Sequence, residues 1–296
     1  MAVFSNLLIL GNGFDLDLGF PSSYGAFRKD ITFPFGRDGH KDHSLGQFIL
    51  KAVDIHKWFD LENVFAEYGK YHQNVKDIDG DKADYDSLVS GFLQYLQKMD
   101  ISNPKSDSVA ARMLNTVCNC LNPPVIYTFN YTDLSTIGRN LTINVGPVSH
   151  IHGSIANNDI ILGAGDYAEL DFSTDYMYKT SNEKYRSTDL FQALDLCDNI
   201  LIFGLSLSQV DYPYFRDFFT RVAEGKYSGV RKKYIRVFTK DSNTRMEILR
   251  NLRQMNSGMI SLTNYADFDI VRTAHNVDEE KVLAIIDKLT NEWKVR

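Results

Sequence analysis

Short apolar runs separated by long mixed segments dominate the pattern of hydrophobic and polar positions along the chain. The runs are rich in aliphatic and β-branched residues and are bounded by turn residues, which is typical of buried strands. These predicted strands occupy Val3–Leu10, Val125–Phe129, Ile160–Ala164, Asn199–Gly204 and Lys233–Thr239. Because most of the segments between them are long enough for crossover helices, the pattern predicts an α/β fold with a doubly wound parallel sheet.

A different periodicity follows the first predicted strand. Apolar residues recur there at helical spacing, as at Leu88, Phe92, Tyr95 and Leu96. Glycine and proline residues mark both ends of the segment, and it has little strand character. We therefore predict a helical insertion at residues 35–121.

The insertion interrupts a domain that we place at residues 1–34 and 122–275. A helix capped by Asp241 or Ser242 should follow the last predicted strand. Residues 276–296 should form a C-terminal amphipathic helix packed on the domain, because the apolar residues fall on one helical face: Val282, Ile285, Ile286, Leu289 and Trp293.

Composition and charge narrow the class of protein. The chain has 296 residues, 44% of them hydrophobic, and a formal net charge of −6 at pH 7, so it is globular and nucleic acid is not the expected partner. It has no apolar run of transmembrane length and no signal peptide pattern, so we expect a cytoplasmic protein without a membrane partner. Three cysteines cannot supply a four-cysteine zinc site, and no metal is expected.

Loops that directly follow the strands of a parallel sheet are where chemistry is expected. The loop Gly11-Asn12-Gly13 has glycines that permit a tight turn and let backbone N–H groups approach a phosphate, although a plain turn would also explain them. The next such loop contains Asn130, whose amide can orient a ribose or a water. An Asx-turn or a helix cap is the structural alternative for this asparagine.

Two further loops carry polar residues. His150 and His152 alternate as in a strand, so one would face the crevice while the other packs or is solvated; histidine is the usual general base. Gly204, Ser206 and Asp211 suit ribose or phosphate contacts, or else a capped helix start. The stretch Gly163 to Tyr167 also follows a predicted strand and would line the same crevice or simply turn the chain.

Taken in order, "GNGFDLDLGFP", "TFNYT", "HIHGS" and "GLSLSQVD" resemble the motifs of the sirtuin superfamily. Gly11, Gly13, Gly19 and Pro21 have the same spacing as its first motif. The set is most similar to the AbiH family of bacteriophage abortive-infection proteins, which looks like a divergent sirtuin-like branch. Trp58 to Glu62 also resembles an acidic tryptophan motif of that family, for which the sequence indicates no role.

This resemblance implies a Rossmann-like, nucleotide-binding domain and an anti-phage effector that hydrolyses its substrate NAD to nicotinamide and ADP-ribose. The implied catalytic residues are Asn130, which would hold a water or the nicotinamide ribose, and His152, which would act as the base. The residues implied to bind NAD are Gly11, Asn12, Gly13, Asp15, Pro21, Gly204, Ser206 and Asp211. The absence of the zinc cysteines of protein deacylases speaks against an acyl-lysine peptide substrate.

The chain departs from the sirtuin pattern in its acidic residues. Asn12 and Asp15 replace an alanine and a serine, and a carboxylate near a pyrophosphate is unfavourable unless it caps the helix or meets a ribose hydroxyl. Thr132 stands where an aspartate belongs, with Asp133 displaced by one position. Asp15 and Thr132 therefore favour a rival function, a non-catalytic sensor of NAD, ADP-ribose or another nucleotide that acts through a partner.

Two more alternatives concern the ligand. A hydrolase with a different nucleotide substrate is compatible with the same motifs, because residues that would contact adenine cannot be identified from the sequence. Nucleic-acid recognition by the basic stretch Arg231 to Arg253 ranks lowest because of the acidic total. Since a toxic hydrolase must stay inactive until infection, we expect control by a homo-oligomer or a regulatory protein partner.

Overall fold

The computed structural model describes residues 6–35, 44–55, 60–71, 77–185, 189–227, 232–274 and 277–292. The chain divides into two compact units. The sheet unit comprises Met1–Phe20, Asp100–Ile151 and Ser187–Arg296, and the helical unit comprises Pro21–Met99 and His152–Arg186. These boundaries differ from the domain limits expected from the sequence, which stay a prediction.

The sheet unit contains a six-stranded sheet in which every pair of neighbours is parallel, in the order β3-β2-β1-β4-β5-β6. Its strands are β1 (Asn6–Leu10), β2 (Val125–Thr128), β3 (Val148–His150), β4 (Asn199–Phe203), β5 (Tyr234–Thr239) and β6 (Asp267–Arg272). All five residues of β1 are buried, as expected for a central parallel strand with both faces covered. The prediction of a doubly wound, Rossmann-like α/β fold is confirmed.

Helices connect and cover the strands of this unit. They are α1 (Asn12–Asp17), α6 (Val109–Cys118), α7 (Leu134–Asn140), α8 (Leu190–Leu196), α9 (Tyr212–Ala223), α10 (Ser242–Gln254), α11 (Met259–Tyr265) and α12 (Glu279–Glu292). The two helices predicted after the last strand are confirmed as α10 and α12. The Asp241 carboxylate caps α10 by accepting from the N–H groups of Asn243 and Thr244.

The helical unit is built from α2 (Tyr24–Phe27), α3 (Ser44–Ile55), α4 (Leu61–Tyr71) and α5 (Ile78–Lys98). The predicted periodicity is confirmed in α5, whose residues Leu88, Phe92, Tyr95 and Leu96 are buried. Two carboxylates of α5 also tie it to α3. Asp81 and Asp84 accept from the N–H groups of Leu45 and Gly46 in the first turn of α3, where a helix has unsatisfied donors.

The predicted strand Ile160–Ala164 is wrong. Ile160, Ile161 and Leu162 are buried, which explains the apolar run, but only Ala164 pairs, in an isolated bridge with Tyr178. Conversely, β3 and β6 escaped prediction. Both lie at the edges of the sheet and carry polar residues, so neither forms a continuous apolar run.

Candidate functional site

Four strands of the sheet unit end in register. Leu10 of β1 pairs with Thr128 of β2 and Phe203 of β4, and Thr128 pairs in turn with His150 of β3. The strand order reverses at β1, and ligands of open parallel sheets bind beside the carboxyl ends of the strands at such a point. The loops after β1, β2 and β4, together with His150, therefore define the candidate site.

The glycines of the first loop allow two loops to touch. A Cβ atom on Gly13 would lie 2.6 Å from the Cα of Gly204, and Gly204 itself has a φ of +70°, which favours glycine. The N–H groups of Gly11 and Gly13 donate to the carbonyl oxygens of Phe203 and Gly204, each at 2.9 Å. The backbone donors of Gly11 and Gly13 thus already have acceptors. The nucleotide contacts expected of Gly11, Asn12, Gly13 and Gly204 stay predictions.

Asn130 is held in one orientation at the end of β2. Its Nδ2 donates to the carbonyl oxygen of Gly11 at 3.0 Å and to Oδ1 of Asp15 at 2.9 Å. A carbonyl oxygen can only accept, so the amide cannot be turned over. No described residue donates to the Oδ1 of Asn130, which is left as an acceptor on a side chain that is 7% exposed.

Asp15 is the buried carboxylate that orients Asn130. Its second oxygen accepts from the hydroxyl of Thr132 at 2.8 Å. Burial raises the pKa of Asp15 to about 7, and the hydrogen bonds from Thr132 and Asn130 act in the opposite direction. Asp133 has a different task, because it caps α7 by accepting from the N–H groups of Ser135 and Thr136. Asp15 and Thr132 therefore act together beside Asn130, whereas Asp133, the acidic residue displaced by one position, caps a helix.

His150 is connected to the same group. Its Nδ1 lies 3.0 Å from the carbonyl oxygen of Asn130. Because that oxygen can only accept, Nδ1 carries the hydrogen, and the neutral ring then has its lone pair on Nε2. The side chain is half-buried.

His152 lies in the helical unit, beside a buried ion pair. The Nζ atom of Lys179 is 3.5 Å from Nε2 of His152 and 2.7 Å from Oε1 of Glu62. Burial, and secondly the charge of Lys179, hold the pKa of His152 well below its usual range. The imidazole is therefore neutral at physiological pH.

The acidic tryptophan motif contributes to this cluster. Burial, together with the neighbouring charge of Glu62, raises the pKa of Asp60 to about 6, and the Asp60 carboxylate accepts from the Glu62 N–H. Trp58 and Phe59 lie outside the described residues. No motif marked Lys179, because its partners are far away in sequence, so sequence reasoning missed the ion pair.

The remaining predicted NAD-binding residues have structural partners. Asp211 accepts from the N–H of Ser208 in a capping box just before α9, and the Ser206 hydroxyl lies 3.4 Å from the same carboxylate. This is the capped helix start that the sequence left open as an alternative. In the helical unit, the carbonyl oxygen of Pro21 accepts from the Tyr95 hydroxyl at 2.5 Å. Nucleotide contacts of Ser206, Asp211 and Pro21 stay predictions.

The described ranges contain neither a metal-binding cluster nor a membrane-spanning helix. Within them, no three histidine, cysteine, aspartate or glutamate side chains are grouped as a metal ion would require. None of the helices found there combines the length and apolar character needed to cross a bilayer.

The family comparison agrees with the order of the motifs. A family model described as "Bacteriophage abortive infection AbiH" matches residues 7–230, well over half of the chain. The match includes the loops that carry Gly11, Asn130, His152 and Gly204. No curated protein matches the sequence.

Proposed function

Because the chain belongs to the AbiH family of bacteriophage abortive-infection proteins, we propose that this anti-phage protein acts by hydrolysing NAD to nicotinamide and ADP-ribose. NAD is the substrate, and no metal takes part. The sirtuin-like order of the motifs and the Rossmann-like sheet both support a nucleotide ligand at the carboxyl edge of the sheet.

The observation that carries the proposal is the locked amide of Asn130. Both of its hydrogens are engaged by Gly11 and Asp15, so its Oδ1 is a fixed acceptor beside the strand-order reversal. A fixed acceptor can hold a water or a ribose hydroxyl in one geometry without reorganising during the reaction. Asp15 acts through Asn130 and is a positioning residue.

The proposed reaction depends mainly on positioning of the reactants. Cleavage between the nicotinamide nitrogen and C1′ of the ribose returns an electron pair to a cationic ring, which leaves as neutral nicotinamide. The transition state resembles an oxocarbenium ion, so a water of ordinary nucleophilicity can attack C1′ once it is positioned.

The test is mass-spectrometric detection of nicotinamide and ADP-ribose from purified protein incubated with NAD. Wild type should form both products, and Asn130→Ala should lose about 100-fold or more of the rate while remaining folded by circular dichroism. Asn140→Ala is the matched control, because Asn140 bonds the Ile101 backbone on the surface of the same unit. Turnover by folded Asn130→Ala equal to that of wild type would contradict the proposal. Parallel incubations with other nucleotides would reveal a substrate other than NAD.

A non-catalytic nucleotide sensor is the second candidate. Two contacts favour it: Asp15 accepts a hydrogen bond from Thr132, and the His152 ring faces the Lys179 ammonium group. Both contacts occupy side chains to which the sirtuin resemblance assigns NAD binding or catalysis. Calorimetric binding of NAD or ADP-ribose without any product over hours would select the sensor over the hydrolase.

A further inference from the structure

The two histidines of the "HIHGS" segment present their rings in different ways. Both rings carry a hydrogen on Nδ1, so the base strength of each depends on what surrounds Nε2. The resemblance to sirtuins implies that His152 is the base.

At His152 the lone pair of Nε2 is already used. A lysine ammonium has only donors, so the contact at 3.5 Å makes Nε2 the acceptor and places the ring hydrogen on Nδ1. Lys179 cannot readily turn away, because it is 5% exposed and also pairs with Glu62 at 2.7 Å. Protonation of His152 would place a second positive charge beside Lys179 in a buried site, which is costly.

At His150 the arrangement leaves Nε2 available. Nδ1–H donates to the carbonyl oxygen of Asn130 at 3.0 Å, which fixes both the ring and its tautomer. No described residue bonds Nε2, and the half-buried side chain retains access to solvent. The same asparagine carries the fixed Oδ1 acceptor, so one residue orients both groups within the sheet unit.

We propose that His150, acting through Nε2, is the general base of this protein, and that His152 is a structural member of the Glu62–Lys179 ion-pair cluster. The inference rests on the proposed hydrolase. As the bond between C1′ and the nicotinamide nitrogen breaks, the water oxygen bonds to C1′ and one of its protons passes to Nε2 of His150. That proton is later released to solvent, so water and NAD yield nicotinamide, ADP-ribose and one proton.

Two substitutions separate the roles because each retains the structural hydrogen bond and removes the imidazole. His150→Asn keeps a donor toward the Asn130 carbonyl, and His152→Gln keeps an acceptor toward Lys179. Loss of a general base lowers rates by roughly 100- to 10,000-fold, so kcat of His150→Asn should fall by that factor. His152→Gln should lose far less than 100-fold, provided that its melting temperature shows a folded protein.

A large loss in folded His152→Gln, or retention of kcat in His150→Asn, would overturn the inference. Chemical modification supplies a readout that does not need turnover. Diethyl pyrocarbonate reacts with unprotonated, accessible imidazole nitrogens, so wild type should be modified at His150 and not at His152, and ADP-ribose should protect His150. Modification of His152 alone would overturn the inference even in a protein that hydrolyses nothing. If His150 is modified, His152 is not, and no product forms from NAD, the result counts against the hydrolase only.

Discussion

At the residue scale, Asp15 is the side chain whose sequence context was most misleading. A carboxylate in a glycine-rich loop suggested a conflict with a pyrophosphate, yet it is 2% exposed and bonded to Asn130 and Thr132. Burial penalises the charged form, and two hydrogen bonds offset only part of that penalty. Asp15 therefore exchanges its proton near neutral pH while it holds the amide of Asn130.

The raised pKa of Asp15 predicts a pH-dependent stability. The unfolded chain ionises Asp15 near its ordinary pKa of 3.8 and the folded chain near 7, so the folded state binds the extra proton and loses stability as pH rises from 5 to 8. The loss accumulates between pH 5 and the folded pKa of about 7, because above that value Asp15 is ionised in both states. Two pH units at about 1.4 kcal/mol each give roughly 3 kcal/mol from this group. Asp15→Asn mimics the neutral carboxyl group and should lack this loss.

Urea unfolding of wild type and Asp15→Asn at pH 5 and pH 8 checks this expectation. Asp107→Asn, at an exposed position, is the control and should follow the wild-type pH dependence. A free-energy difference between wild type and Asp15→Asn that is equal at the two pH values would contradict the prediction.

At the element scale, the loops after β1 and β4 meet through their backbones. Gly13 and Gly204 leave no room for a side chain between them, and the Gly13 N–H donates to the Gly204 carbonyl oxygen. This contact lies where the strand order reverses, so the glycines shape the edge on which Asn130 and His150 are placed. A close approach of this kind explains Gly-x-Gly without requiring a phosphate.

Gly13→Ala should destabilise the fold by about 1–3 kcal/mol, because its Cβ would overlap the Gly204 Cα at 2.6 Å. The measurement is the urea midpoint at an unchanged m-value. Gly146→Ala is the matched control in the same unit, since a Cβ there would meet nothing within 4 Å. Midpoints that shift equally in both variants would show that the loop contact has no special role.

At the scale of the whole molecule, the acidic net charge disfavours a surface that binds nucleic acid. The chain carries a net charge of −6. The basic stretch Arg231 to Arg253 is not one exposed patch, because Lys233 is buried against backbone oxygens and Arg236 pairs with Asp267; Arg231 itself lies outside the described residues.

In phage-infected cells, the hydrolase proposal predicts a fall in NAD when wild type is present, and no fall with Asn130→Ala. Cellular NAD measured over the course of infection checks this, with Asn140→Ala as the control. Protection of the culture at constant NAD would instead identify the sensor. A fall only after infection would support the expected control by self-association or by a regulatory partner.

The local pattern of apolar and capping residues was sufficient to predict the central strands and the helices α10 and α12. The central strands are continuous apolar runs, α10 has an aspartate cap, and α12 has an apolar face with Val282, Ile285 and Leu289 buried. Trp293, the last residue predicted for that face, lies outside the described residues. The buried run at Ile160 was misassigned as a strand, because burial in a helical unit and burial in a sheet leave the same apolar signature. The edge strands β3 and β6 were missed for a different reason, because their polar residues interrupt the apolar run.

The sequence by itself determined the fold class and the family, because these follow from periodicity and from the order of short motifs. Only the tertiary structure decided what each polar group faces. Asn130 meets Asp15, and His152 meets Lys179, across long separations in sequence, and the burial that raises one pKa and lowers the other exists only after folding. Protonation and hydrogen-bond partners are properties of that packed environment, which no local stretch of sequence contains.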